Sequence, residues 1–113
     1  MRWFLYTTVL LAWTGLAAAH SKMDETMPAD GATLDDAPQE LVLRFDQSIR
    51  LVTVKITHAD EHSEPLKLDE QAGFGTEFKL PMTSMGTGRY EVEWRGLGED
   101  GHIMTGRFGF DVQ

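Results

Sequence analysis

Cysteine is absent from the 113 residues, which excludes a disulfide framework, thiolate zinc and iron–sulfur sites, and a cysteine nucleophile. Histidine, methionine and carboxylates remain as metal-ligating side chains. Basic residues are few: 10 Lys and Arg stand against 18 Asp and Glu, a formal net charge of −8. A surface of that sign repels phosphate backbones and anionic headgroups, which are bound mainly through Lys and Arg, so nucleic acid and peripheral membrane binding are disfavoured. The length allows one small domain and no second. Internal repeats, low-complexity tracts and any convincing helical periodicity are also missing.

Long apolar runs are missing too, with one exception at the start. Arg2 is the only charge before Lys22, and the run from Trp3 to Leu16 ends in Ala17-Ala18-Ala19, small residues at the −3 and −1 positions of a cut before His20. That is the pattern of a secretory signal peptide. A transmembrane anchor needs about 20 apolar residues, and here Ser21-Lys22-Met23-Asp24-Glu25 follows at once. The expectation is cleavage after Ala19, leaving residues 20–113 as one exported domain without membrane insertion. All 18 acidic residues lie beyond the cut, so processing makes the chain more acidic.

What is present beyond residue 20 is alternation. Leu41, Leu43 and Phe45 alternate with polar or smaller neighbours, as do Val52, Val54 and Ile56, then Leu66 and Leu68, Phe78 and Leu80, Tyr90, Val92 and Trp94, and Phe108, Phe110 and Val112. A period of two marks half-buried strands. Turn residues separate the runs, including Pro28-Ala29-Asp30-Gly31, Ala37-Pro38, Gly86 to Gly88 and Gly96 to Gly101. The pattern predicts an all-β, immunoglobulin-like or Greek-key β-sandwich (barrel) of about seven strands. Trp94, Phe45, Phe108 and Phe110 are expected in its core.

Two histidines hold unusual positions. His20 becomes the first residue after the expected cleavage, and His102 follows Asp100-Gly101 in the connection between the last two strands. An amino-terminal histidine offers its α-amine and imidazole Nδ1 to one metal in a small chelate ring. Asp100 and His102, two apart, point the same way in extended backbone, or converge through a turn at Gly101. Three nitrogens and one oxygen suit a tetragonal Cu(II) ion. Each element also has a plain reading, since Asp-Gly is a common hairpin turn and an adjacent histidine can simply be solvated.

Residues His20, Met27-Pro28-Ala29-Asp30-Gly31-Ala32, Ala37-Pro38 with Leu41 to Phe45, Tyr90 to Arg95, Asp100-Gly101-His102 and Gly106 to Phe110 carry a further point in their order and spacing. Together they resemble the CopC/PcoC family of periplasmic copper-resistance proteins. That resemblance implies a periplasmic seven-stranded carrier that binds copper without turnover. It also implies one Cu(II) per chain held by His20, Asp100 and His102, and a membrane importer of the CopD type as partner.

Two departures bear on that set. Gln47 stands where some members have a glutamate, making it a candidate axial or outer group. The loop from His58 to Pro65 has no methionine, although related proteins carry a methionine-rich stretch there; a single Cu(II) site and no organised Cu(I) site are expected. His58 and His62, or Met82 and Met85 with Met23 and Met27, could gather a metal weakly, but solvated hairpin and ordinary packing explain them as well. Two rival functions share the features: a histidine-brace copper oxygenase and a metal-free exported interaction module.

Overall fold

A single 19-residue strand organises the molecule. The computed structural model describes residues 23–68 and 73–113, so His20 and the expected cut after Ala19 lie outside the described residues. Seven strands follow one another: β1 (Met23–Met27), β2 (Ala32–Leu34), β3 (Glu40–His58), β4 (His62–Pro65), β5 (Phe74–Pro81), β6 (Gly88–Gly98) and β7 (Ile103–Val112). The all-β sandwich expected from alternation is thus the observed fold, with no helix among the described residues.

β3 belongs to two layers. Its first half pairs antiparallel with β1 on one side and β5 on the other. From Ile49 onward β6 becomes its neighbour, and from Lys55 to His58 so does β4. The exchange occurs at an irregularity between Arg44 and Ile49 that contains Asp46, Gln47 and Ser48. Strands turn the corner between packed sheets at such breaks. β7 then pairs antiparallel with β6, and β2 closes the row parallel to β7.

The core fills the space between these layers. Leu41, Leu43, Ile49, Leu80, Tyr90, Val92 and Phe110 are fully buried, and Phe45, Trp94 and Phe108 nearly so. Phe45 meets Trp94 edge-on, with centroids 4.9 Å apart and planes at 76°, a contact worth about 0.5–1.5 kcal/mol beyond its buried area. Tyr90 stacks on Phe110 at 5.1 Å. Its hydroxyl donates to the Gly86 carbonyl at 2.6 Å and accepts from the Met85 amide at 2.9 Å, fastening the loop before β6. Asp30 ties the turn between β1 and β2 to β7 by accepting the Gly109 amide at 2.9 Å.

Two local readings change, and two short strands, β1 and β2, have no counterpart in the sequence reading. Val52 is half exposed, because Leu51 faces Gly96 and Thr53 faces Arg95, leaving Val52 as the extra residue of a bulge. The bulge moves the inward positions from Ile49 and Leu51 to Val54 and Ile56, so Val52 falls outside the core. Leu66 and Leu68 are not a strand; β4 lies just ahead of them, and both pack half-buried against the core. β1 and β2 are too short to show alternation in the sequence.

Candidate metal centre

The connection between β6 and β7 is a tight hairpin. The Gly98 amide donates to the His102 carbonyl at 2.9 Å, and the Gly101 amide to the Gly98 carbonyl at 3.0 Å. Gly101 has φ +84°, the left-handed residue that a three-residue hairpin loop requires after its turn. The loop folds the Asp100 carboxylate back on His102. Oδ1 accepts the His102 amide at 3.0 Å, and Oδ2 lies 3.1 Å from His102 Nδ1.

That pair has a definite electrostatic character. Both side chains are exposed, 84% for His102 and 67% for Asp100. The hydrogen bond from the His102 amide, aided by the nearby imidazole, holds the Asp100 carboxyl below its ordinary range against a small opposing cost of desolvation. An ionised carboxylate only accepts, so the contact at Nδ1 calls for a hydrogen there. In the neutral ring Nε2 then carries the lone pair.

Asp100 also opens onto a groove. With Gln47, Ser48, Gly98, Glu99 and Met104 it lines a cavity of about 390 Å³ at the corner where β3 changes layers. Gly98 keeps this space free. A Cβ there would stand 2.7 Å from Asp100 Oδ1 and 3.5 Å from Met104 Cε. Gln47, a candidate from the sequence, is therefore brought to the groove with Asp100. Ser48 and Met104 were not anticipated. Met104 was accessible by continuing the period of two from Asp100 through His102.

The other candidates are arranged differently. His58 and His62 face each other across the β3–β4 hairpin, but each imidazole is engaged elsewhere. His58 Nε2 donates to the Thr87 carbonyl at 2.7 Å while its ring rests on Tyr90 at 4.7 Å. His62 Nε2 bonds Glu64 at 2.7 Å. Met82 and Met85 line a separate hollow between β4 and β5, and Met27 is exposed on β1. Among the described residues no three His, Asp or Glu side chains converge, so Asp100 and His102 stand as a two-residue pair.

Comparison with known proteins places the domain in a family. The sequence profile of the CopC domain matches residues 23–113, from β1 to the end of the chain given. The chain belongs to the CopC domain family. Copper resistance protein C of Pseudomonas syringae pv. tomato is 29% identical over 111 residues, covering 88% of this chain and 86% of the relative. Copper resistance protein C of Escherichia coli is 29% identical over 112 residues, covering 86% and 84%. The crystal structure of CopC from Methylosinus trichosporium OB3b superposes with a TM-score of 0.66 at 22% identity, over 83% of this chain and 94% of that one. PcoC, a methionine-rich copper resistance protein from Escherichia coli, gives 0.58 at 22% identity over 84% and 100%. The two structures share the sandwich fold with this CopC domain, and all seven strands described above lie within the matched residues.

Proposed function

We propose that this protein is an exported, periplasmic copper carrier that binds one Cu(II) ion through the amine and imidazole of His20 together with Asp100 and His102. It holds the ion without turnover, as a carrier or buffer, and the family resemblance points to a membrane importer of the CopD type as its partner. The observation that carries this reading is the Asp100–His102 pair, preorganised by one hairpin, with Asp100 also lining the groove of Gln47. Family membership supports copper as the ion, since relatives are named for copper resistance. Backbone connectivity supports the remaining donors. Met23 pairs with Phe45, two residues before Gln47, and three residues of chain span about 10 Å at full extension. A segment of that length is long enough to bring His20 to the groove.

Binding exchanges protons for metal. Amine and imidazole nitrogens must be deprotonated, and such groups ordinarily titrate at about pH 6 to 8. Asp100, held ionised by the His102 amide, becomes the anionic oxygen donor when Oδ2 exchanges its contact with His102 Nδ1 for the ion. One carboxylate and three neutral nitrogens leave one positive charge on the complex, which the acidic surface offsets at long range. Electron paramagnetic resonance of the one-to-one Cu(II) complex tests the assignment: coupling to three nitrogens is expected, and one or none would overturn it.

A further inference from the structure

We propose that the outer face of β3, β6 and β7, at the base of the Asp100–His102 hairpin, is a docking surface for a partner protein segment that presents apolar side chains together with carboxylates. It deepens the carrier reading and rests on it in one respect, that the docked partner is the acceptor of the ion. Cross-strand register lays this face out in rows, because residues directly opposite in an antiparallel pair share a side of the sheet. Phe74 pairs with Arg50, Arg50 with Leu97, and Leu97 with Ile103. These four side chains form one row, on the side away from the fully buried Ile49. Val52, outside the core at its bulge, lies two residues on from Arg50. Val52, Phe74 and Ile103 are 50%, 50% and 58% exposed, and Met27 on β1 is the one other large apolar residue so exposed among the described residues. Scattered exposed apolar residues are ordinary on a protein surface, whereas a cluster marks a place of contact.

Charge selects the occupant. On a chain of net charge −8, the next two rows carry Arg95, then Lys55 and Arg107 with Glu93 between them. Lys55 is paired with Glu93 at 2.9 Å, but no carboxylate pairs with Arg50 or Arg95 among the described residues. A trough of about 740 Å³ opens over these rows, bounded by Ser63 and Pro65 on the β4 side. Arginine beside exposed apolar side chains is the composition of an interface centre. Carboxylates of a docked segment would pair the two free guanidinium groups, in surroundings from which the apolar row excludes water. A second copy meeting this face with its own would instead set arginine against arginine. The face spans four strands and three rows, about 14 Å in each direction from ordinary sheet spacings. That is about 200 Å², against about 800 Å² per partner in a stable complex, and suits the brief contact that a carrier needs. Leu97 opens the hairpin and Ile103 directly follows His102, so a segment docked here lies beside the copper-binding pair.

The test uses isotope-labelled protein recovered after export and a short peptide of alternating leucine and glutamate as the probe, followed by amide chemical shifts. Saturable shifts are expected from Arg50 to Lys55, Glu93 to Leu97 and Ile103 to Arg107, weakening as salt is raised. Arg50→Glu/Arg95→Glu is expected to bind the peptide about tenfold or more weakly, and Ile103→Ser about threefold or more, each with an otherwise native spectrum. A leucine–lysine peptide is expected not to bind. Lack of saturation at millimolar peptide, shifts centred on another face, equal binding of the lysine peptide, or unchanged affinity in both variants would each overturn the proposal. So would a dimer in sedimentation that Ile103→Ser abolishes, which gives the face to a second copy. Cu(II) titration of the same samples keeps the two readings apart, since both variants are expected to bind the ion within about threefold of wild type. If wild type takes up Cu(II) and the peptide does not dock, this proposal falls alone; if the peptide docks and no Cu(II) is bound, the carrier reading falls and the docking surface stands.

Discussion

Asp100 does two things with one carboxylate: Oδ1 fastens the loop by accepting the His102 amide, and Oδ2 orients the imidazole. Asp100→Asn keeps an acceptor for the amide and removes the charge. Cu(II) affinity at pH 7 is expected to fall by about a hundredfold, with circular dichroism unchanged. The pH profile separates Asp100 from the nitrogens. Because the folded carboxyl is held below its ordinary range, its contribution is present above that range and is lost only as pH falls through the depressed value. Between pH 7 and 5 the slope of log Kd against pH should therefore be set by the nitrogens and be the same in wild type and Asp100→Asn, the variant being weaker throughout; a slope that differs between the two would contradict this. Gly106 works by what it lacks. A Cβ there would stand 2.6 Å from the indole of Trp94, directly across the β6–β7 pair. Gly106→Ala is expected to cost about 1–3 kcal/mol in urea unfolding followed by Trp94 fluorescence. The indole N–H of Trp94 finds no partner among the described residues, so this side chain is held by shape and ring contacts, which makes it sensitive to crowding.

At the scale of elements, the sequence announces strands through alternation and hides what interrupts it. The runs ending at Phe45 and beginning near Val52 read as two strands, yet they are halves of β3. The strand runs on through Asp46 to Ser48, where its pairing shifts and side-chain alternation carries no signal. The Val52 bulge is equally silent, because Val is as apolar inside as outside. The Asp100–His102 pair was legible because two residues and a glycine fix it locally. Gln47 and Met104 depend on the β3 corner meeting the β6–β7 hairpin, a contact between residues about fifty apart in the chain, and no local pattern encodes it. The β3–β4 hairpin shows the same limit. Ala59 and Asp60 both have positive φ, 53° and 59°, in a turn with no glycine to signal it. An L-residue there costs about 1–2 kcal/mol, of which glycine's extra chain entropy returns roughly half. Ala59→Gly is thus expected to stabilise the protein by about 0.5–1 kcal/mol, read as a rise in the urea midpoint at unchanged slope; a fall would show that the turn relaxes in some other way.

For the whole molecule, the decisive relation is between the chain start and the far hairpin. β1 is held by pairing with the first half of β3 alone, whereas the β6–β7 hairpin belongs to the other layer. A copper ion bound by His20, Asp100 and His102 would bridge the two layers by a bond the polypeptide does not otherwise make. Ligand that binds only the folded form stabilises by mass action, about 2.7 kcal/mol at a free concentration one hundred times Kd. In a domain of this size that corresponds to a rise in melting temperature of about 10 °C or more. Placing one alanine ahead of His20 turns its amine into an amide and removes a donor while leaving every described contact intact. The extended protein is expected to melt as wild type does without copper and to gain only a small part of the rise with it, and a chelator should reverse the gain in wild type. Equal copper-induced stabilisation of the two proteins would mean that the free amine takes no part in binding.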